Sequence, residues 1–452
     1  MRKCLLYLSI IFMLLIDQAV KAQDFDTKPL VNINNEKENL NFTVGARFMA
    51  DEAVYHTDYT KMKSGASITD SRIRTSLTYK DWYFYADFGF AGGKFTQKNI
   101  FMQYNIPTDG NSRHIIKAGY YNDPADMARN TSLGSYHFIS RPAPSNALAP
   151  GRELGISYKF YNKTWFANQG VFTENMYNDQ SQGSQNIEFG GRWLFRPINN
   201  NESTFHAGIS LRYGKITSGE EYRKGLGIIK TQVELGTPNE TYVDPKEFVG
   251  CTLPWANQTL DLGGEFLYRN QRFFARGEYM FKRVWKKRDS YKIYIDDLGT
   301  NPLFNWVTYS AWSKAYPLRP NNFDGGYLEV GYSIFGSKYK YDDTEGLISG
   351  LNSNSLEVVA RYSYTNLNDI IKGELYVPGR NQYYPNGQIS DYPYESTSIG
   401  GGKMKAITIG INYSFNQFVQ AMLDYTYTRL NKDYYVYDKN FHILQARLIF
   451  SF

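Results

Sequence analysis

Apolar and polar residues alternate with a period of two over most of the chain. In the stretch FTVGARFMAD, Phe42, Val44 and Phe48 share one face, whereas Thr43 and Arg47 share the other. The stretch AITIGINYSF alternates in the same way. A period of two is typical of β-strands that have one face in an apolar environment and the other face in a polar one. The sequence contains no comparably clear apolar stripe of helical period.

Sixteen segments carry this alternation, and the connections between them differ in length. The segments start near residues 41, 70, 81, 98, 113, 152, 163, 185, 203, 258, 271, 322, 353, 403, 416 and 436. Most even-numbered segments are followed by tiny links such as YKD, YNK and RNQ. Odd-numbered segments are often followed by long links, at 52–69, 122–151, 217–257, 286–321 and 366–402. The link 338–352 is the exception, because it is too long for a plain turn.

An even number of strands with short turns on one side and long loops on the other is typical of outer-membrane barrels. A soluble β-sandwich is the alternative, but loops of this length are uncommon in one unless they are functional. We therefore predict an all-β fold, a transmembrane antiparallel β-barrel of about 16 strands over residues 41–452. Its short turns are expected in the periplasm and its long loops outside the cell.

The last strand, HILQARLIFSF, ends on an aromatic residue. Leu444, Phe450 and Phe452 form its outward set, and Gln445 and Arg447 belong to the inward set. We expect this strand to close the barrel against the first strand, which removes the free sheet edges. A terminal phenylalanine after such alternation looks like the signal that bacterial barrel-assembly machinery binds, although an ordinary edge strand would also alternate.

The N-terminus has the order of a secretory signal. Two basic residues precede an apolar run from Cys4 to Ile16, and small residues follow at Val20 and Ala22. The run is too short for a membrane-spanning helix. We predict a signal peptide over 1–22, a short periplasmic N-terminal segment over 23–40, and location in the outer membrane of a Gram-negative bacterium.

The composition favours a barrel with a water-filled interior and argues against several other classes of protein. Aromatic residues make up 17% of the chain, yet the mean hydropathy is -0.50, which suits strands around an aqueous lumen better than a large dry core. The formal charge of +6 is too mild to indicate nucleic-acid binding. Only Cys251 lies beyond the predicted signal, so the sequence predicts no internal disulfide and leaves the role of this cysteine open. Five scattered histidines form no legible catalytic arrangement, so we expect no enzyme, no cofactor and no metal site.

Several stretches resemble the phosphate-selective porin O and P family, in collinear order over most of the chain. They include IIKAGYYNDP, GGYLEVGYSIFG, SLEVVARYSYTNLND and KMKAITIGINYSFNQFVQAMLDYTYTRLN. The resemblance implies a sixteen-stranded trimeric porin in which anions pass inward-facing arginines and in-folded loops. Where the family often carries Arg-Arg-x-Arg, this chain has Ser71 followed by Arg72 and Arg74.

Alternation places many arginines on the inward face. The predicted pore-lining and anion-binding set is Arg47, Arg72, Arg74, Arg192, Arg212, Arg276 and Arg361. Guanidinium groups stay charged and form bidentate hydrogen bonds with phosphate oxygens, so rows of them suit an anion pore. The alternative is that they brace the wall by pairing with inward acids. Those acids are Asp51, Asp87, Glu153, Glu188, Asp261, Glu265, Glu278, Glu329, Glu357 and Asp424.

The third loop, 122–151, is the predicted constriction. The third loop of sixteen-stranded porins typically folds into the lumen, where Arg129, Arg141 and Arg152 would narrow an anion path. An extracellular or trimer-contact loop is the alternative. On the outer surface, Trp285 begins a WKKR stretch that we expect at the phosphates of lipopolysaccharide.

These observations predict a porin that allows passive diffusion of small hydrophilic solutes and favours anions such as phosphate or polyphosphate. The expected partners are anionic or polar solutes, outer-membrane lipid and lipopolysaccharide, the assembly machinery at Phe452, and two further copies in a homotrimer. A non-selective general porin, or a surface adhesin or receptor that uses its long loops, are the alternatives.

Overall fold

The structure is a computed structural model of the chain. It describes residues 29–57, 62–173, 186–216, 220–222, 229–254, 256–287, 319–351, 354–372, 376–378, 398–432 and 439–452. The predicted signal peptide, Arg288 and most of the links 286–321 and 366–402 lie outside the described residues.

Sixteen long antiparallel strands of the described chain form one closed sheet. The strands are β1 (Leu40–His56), β2 (Gly65–Tyr79), β3 (Trp82–Gly89), β4 (Thr96–Ile106), β5 (Arg113–Asn122), β6 (Arg152–Tyr161), β7 (Trp165–Thr173), β8 (Ile187–Asn199), β9 (Ser203–Lys215), β10 (Ala256–Asn270), β11 (Phe273–Lys286), β12 (Asn321–Phe335), β13 (Ser355–Asp369), β14 (Ser398–Ser414), β15 (Val419–Asn431) and β16 (Asn440–Ser451). Each predicted segment starts within five residues of an observed strand, so the predicted barrel is confirmed.

The barrel closes between its first and last strands. β1 pairs antiparallel with β16, from Arg47 opposite Ser451 to His56 opposite His442. Beyond the strand, the Phe452 N–H donates to the Ala46 carbonyl over 2.8 Å, and the Ala46 N–H donates to the Phe452 carbonyl over 3.1 Å. The seam therefore has a complete ladder, and no sheet edge is left free there.

The two faces of each strand meet different surroundings. On β14, Ile407, Ile409 and Ile411 are 51%, 57% and 42% exposed on the outer surface. Thr408 and Asn412, which point inward between them, are fully buried. Apolar side chains outside and polar side chains inside are what a barrel wall in lipid requires.

A short N-terminal strand, Val31–Asn35, continues the seam. It pairs antiparallel with the start of β1, from Val31 opposite Val44 to Asn35 opposite Leu40. A 3-10 turn at Glu36–Glu38 reverses the chain between the two. The described part of the predicted N-terminal segment therefore extends the barrel sheet.

Three of the described connections enter the barrel. Loop three (123–151) carries the short helices α1 (Met127–Asn130) and α2 (Ala143–Leu148). The loop-five hairpin (229–254) consists of the strands Ile229–Pro238 and Glu247–Pro254. The inner turn (336–351) holds the strand pair Tyr341–Asp342 and Leu347–Ile348. The remaining described strands are Glu220–Tyr222, which pairs with the hairpin, and Tyr376–Pro378, which pairs with β14.

These three inserts share an apolar core with one side of the wall. The cluster includes Met127, Phe138 and Leu148 of loop three, Leu235 and Phe248 of the hairpin, Leu347 of the inner turn, and Phe274 and Phe323 of the wall. Cys251 is also buried there. Burial of this apolar surface holds the inserts inside the barrel. Among the described residues, no helix is long and apolar enough to cross a membrane.

Candidate functional site

Loop three is bonded to acids on the wall formed by β12 to β15. The Tyr136 hydroxyl donates to Glu329 over 2.6 Å, and the Ile139 N–H donates to Asp424 over 2.8 Å. Burial raises the pKa of the Tyr136 hydroxyl well above its usual range, so this group remains a donor. These bonds place loop three across the lumen and attach it to two inward acids of the wall.

The two loop-three arginines fold the loop on itself. Arg129 donates to the carbonyls of Ser145 and Asn146 over 3.2 Å. Arg141 donates to the carbonyls of Ala128 and Thr131 over 2.9 and 3.0 Å. Such bonds satisfy backbone carbonyls that lie between loop segments, and they fix both guanidinium groups inside the loop.

The loop-five hairpin presents Glu240 to the same wall. One Glu240 carboxylate oxygen accepts from Arg361 over 2.6 Å and from the Thr408 hydroxyl over 3.2 Å. The other carboxylate oxygen accepts the Ala143 N–H of α2 over 3.0 Å. Glu240 therefore links the hairpin, loop three and the wall at one fully buried point.

The inner turn contacts the opposite part of the wall. Glu345 pairs with Lys159 of β6 at 2.5 Å, and Asp343 pairs with Arg196 of β8 at 3.2 Å. The Tyr341 hydroxyl lies 2.8 Å from Nδ1 of His206 on β9. The inner turn leaves the wall between β12 and β13. Its contacts with β6, β8 and β9 therefore show that it crosses the interior of the barrel at the end where the short turns lie.

Four of the predicted pore-lining arginines are paired with buried acids. Arg192 holds Glu265 through two hydrogen bonds of 2.7 and 2.8 Å, and Arg276 holds Glu329 at 2.7 Å. Arg361 holds Glu240, as described above, and also lies 3.5 Å from Glu329. Arg212 bonds to Glu153 and Glu188. At these four positions the structure has the wall-bracing arrangement, which leaves little free charge for a solute.

The remaining predicted arginines, at Arg47, Arg72 and Arg74, lie on β1 and β2. Arg47 and Arg72 share Asp70 at 2.7 and 2.8 Å, and Arg72 also holds Asp87 at 2.7 Å. Neighbouring strands supply this chain of alternating charges, since Arg47 lies opposite Arg72 in the β1–β2 ladder.

Arg74 has no Asp or Glu partner in the described chain. Its Nη2 donates to the Ser451 hydroxyl and the Phe452 carbonyl over 3.1 Å, and its Nε atom lacks a protein partner. The Nε atom itself is shielded from solvent, but the Arg74 side chain as a whole is only partly buried, so its charge adjoins the open interior.

Two further cations extend this surface toward β6. Arg152 donates only to the Asn99 side-chain oxygen, over 2.7 Å, among the contacts of the described residues. Lys98 lies within electrostatic range of Arg72 and Arg152 and also of Asp70 and Asp87, but it forms no ion pair with a carboxylate in the described part of the chain. We name Arg72, Arg74, Lys98 and Arg152 the basic wall. The predicted inward acids do not include Asp70, although alternation from Arg72 places it on the inward face. Alternation does not place Lys98 there, because a bulge lies beside it.

The basic wall borders the more open part of the interior. Inward side chains of β13 and β14, such as Arg361 and Thr408, are buried beneath loop three and the hairpin. Inward side chains of β2 to β4, such as Arg74, Tyr85 and Gln103, are only partly buried. Water-filled space therefore adjoins β2 to β4, and the cations there face it.

Comparisons with known proteins agree with this geometry. The family model of the phosphate-selective porin O and P matches residues 42–452. A comparison with curated protein sequences gives no match. Among solved structures, the anion-selective porin from Comamonas acidovorans is similar with a TM-score of 0.51 and 11% identity, covering 91% of this chain and 100% of that chain.

Two further structures have the same fold. Pseudomonas putida OprB at high pH has a TM-score of 0.51 and 9% identity, covering 92% of this chain and 95% of that chain. The trimer form of in-vitro folded OmpT, an outer membrane protein of Vibrio cholerae, has a TM-score of 0.50 and 8% identity, covering 91% and 99%. At such identities these likenesses show the shared barrel alone, whereas the family model covers nearly the whole chain. The chain belongs to the phosphate-selective porin O and P family.

Proposed function

We propose that the protein is a passive channel for small hydrophilic solutes that favours anions, phosphate or polyphosphate among them. Its family and its barrel indicate an outer-membrane channel rather than an enzyme. The finer proposal, anion preference, rests on the basic wall.

The balance of charge along the open path supports anions. On the buried side, Arg192, Arg276 and Arg361 have their charges compensated by acids. On the open side, Arg74 and Lys98 form no ion pair with an Asp or Glu of the described chain, because the nearby acids Asp70 and Asp87 pair with Arg72. Cationic side chains that face a water-filled pore raise the local concentration of anions and lower that of cations.

The inserts restrict the path to this side of the barrel. Loop three, the loop-five hairpin and the inner turn fill the space against β6 and against β8 to β16 with bonded and apolar contacts. Solutes are thus directed along the basic wall, where single hydrogen bonds to guanidinium groups hold an anion weakly enough to release it. Loop three, with Arg129 and Arg141, is the proposed constriction; Arg152, which the sequence analysis assigns to this loop, is the first residue of β6 and lies beside it in the basic wall.

Assembly and export complete the proposal. The similar OmpT structure is described as a trimer form, and a homotrimer is proposed here on that likeness and on the family. Export through a signal peptide ending at Ala22 remains a prediction, and mass spectrometry of the mature protein tests it by finding Gln23 at the N-terminus.

A general porin is the second candidate, because the many ion pairs of the wall favour it. Planar-bilayer recordings separate the candidates. An anion channel gives a reversal potential of the chloride sign in a KCl gradient and a lower chloride current when phosphate is added. A general porin gives a reversal potential near zero, and a closed receptor barrel does not conduct.

A further inference from the structure

A basic groove lies on the outer surface of the barrel at the ends of β13 to β16. Its volume is about 660 Å³, and its described lining includes Tyr364, Lys403, Lys405, Arg429, Lys439 and Asn440. The lining holds four cationic side chains and, within the described residues, no carboxylate. Nothing in the pore proposal uses these side chains, because they face away from the lumen.

The register between β13, β14, β15 and β16 brings the side chains of the groove next to one another. Tyr364 lies opposite Lys405, Lys405 opposite Arg429, and Arg429 opposite Asn440. Residues directly opposite in antiparallel strands point to the same face, so these four side chains form one row across four strands. Lys403 and Lys439 lie beside this row, and Lys405 and Arg429 are exposed.

The row lies at the upper boundary of the apolar belt. Two residues toward the periplasm, the next outward row contains Tyr362 opposite Ile407, which are 44% and 51% exposed. Outward residues of β14 remain apolar from there to Tyr413. Eight residues of a tilted strand span roughly 20 Å, close to the height of about 25 Å of the apolar band in such barrels. The cations are therefore at the level of lipid head groups on the long-loop side.

The WKKR stretch, which the sequence analysis predicts at the phosphates of lipopolysaccharide, is not part of this groove. The structure buries Lys286 inside the barrel, with the inward set of β11, and Arg288 lies outside the described residues. The prediction that Lys286 lies at the outer surface is wrong. Successive side chains of a strand point to opposite faces, so Lys286 points into the barrel when Trp285 points outward.

We propose that the groove binds the phosphate groups of an anionic glycolipid in the outer leaflet of the membrane. Four cations without a described acid match a headgroup with several negative charges, and Arg429 provides a planar fork for phosphate oxygens. Below them, Tyr362, Ile407 and Tyr425 offer an exposed apolar surface for the acyl chains. A free phosphate ion would use the cations but not the apolar belt. The proposal rests on the outer-membrane location and is independent of anion preference in the pore.

The test uses the purified full chain in non-ionic detergent. Binding of a bis-phosphorylated, acylated glucosamine disaccharide is measured by native mass spectrometry, and the dephosphorylated lipid is measured in parallel. The variant carries Lys403→Gln, Lys405→Gln, Arg429→Gln and Lys439→Gln. The matched control removes four exposed lysines of the short-turn side by Lys37→Gln, Lys80→Gln, Lys163→Gln and Lys338→Gln.

The groove variant should bind the phosphorylated lipid at least tenfold more weakly than wild type, while the control binds as wild type does. The dephosphorylated lipid should bind equally weakly to all three proteins, and the conductance of the groove variant should be unchanged. Equal lipid affinity of wild type and groove variant would overturn the proposal. Inorganic phosphate that displaces the lipid at equal concentration would also overturn it, because the site would then bind the free ion. A variant with only Lys405→Gln and Arg429→Gln is compared in the same way if the fourfold variant fails to show heat-modifiable migration.

Discussion

Removing the unpaired cations of the basic wall should abolish most of the anion preference. The test variant carries Arg74→Gln, Lys98→Gln and Arg152→Gln, which deletes three positive charges and leaves no described acid without its ion-pair partner. Arg72 is retained, because its removal would expose Asp70 and Asp87 and so add a second effect.

The size of the effect follows from Coulomb's law. A monovalent ion that passes about 8 Å from one charge in water interacts with it by about 0.5 kcal/mol. At 0.1 M salt the Debye length of about 10 Å reduces this energy to roughly 0.2 kcal/mol. Because anion and cation feel opposite signs, the chloride-to-potassium permeability ratio changes about twofold per charge, and about tenfold for three charges. At 1 M salt, where the Debye length is about 3 Å, the total change should fall below about 1.5-fold.

The assay is the reversal potential of single channels in KCl gradients at low and high salt. Two controls isolate charge from structure. Arg74→Lys with Arg152→Lys keeps the charges and should keep the chloride preference, although phosphate block should weaken. Asp51→Asn with Arg447→Gln removes a bidentate pair at 2.6 Å without changing the net charge, so its selectivity should equal wild type. An unchanged permeability ratio in the triple Gln variant at 0.1 M would refute the role assigned to the basic wall.

Three further predictions concern the inserts and the barrel. Deletion of residues 126–146 should raise the conductance and lower the anion preference, because the wall acid Asp424 loses the hydrogen bond that the Ile139 N–H donates to it. Bilayer recordings that show an unchanged conductance would place the loop outside the path. Gly119 has φ of 139°, and an added Cβ would lie 2.4 Å from the Ile100 carbonyl oxygen, so Gly119→Ala should lower the free energy of unfolding by about 1–3 kcal/mol. Gly264→Ala, which meets no atom within 4 Å, is the control in the same urea titration, and equal effects of the two changes would contradict this account. Deletion of Phe452 removes two seam hydrogen bonds and should reduce the heat-modifiable folded species on cold gel electrophoresis; assembly at the wild-type level would show that the seam forms without it.

The barrel could be predicted from the sequence because each strand has one face in lipid and one in the lumen, which gives a period-two pattern. The prediction was least accurate where this contrast ends. β2 and β14 begin at Gly65 and Ser398, five residues before their predicted starts, in stretches that lack alternating apolar residues. Those strand ends extend beyond the apolar band of the barrel, so their outward residues do not contact lipid and need not be apolar. The alternating pattern that identifies a strand is therefore missing there.

The charged interior could be predicted only in part. Alternation indicates that Arg276 and Glu329 both face inward, but their pairing depends on the register between β11 and β12, where they lie directly opposite. Lys98 lies where the β3–β4 register shifts, so simple alternation does not identify its face. Glu240 pairs with Arg361 from a loop, and the mixed charges of that loop do not indicate which residue enters the barrel. The unusual length of the link 338–352 was the only sign of the inner turn.

The reversal potential of the wild-type channel in a KCl gradient at about 0.1 M tests the central claim most directly. The account predicts a potential of the chloride sign that moves toward zero as the salt rises to 1 M. A potential of the potassium sign, or one that stays at zero at low salt, would contradict an anion path along the basic wall.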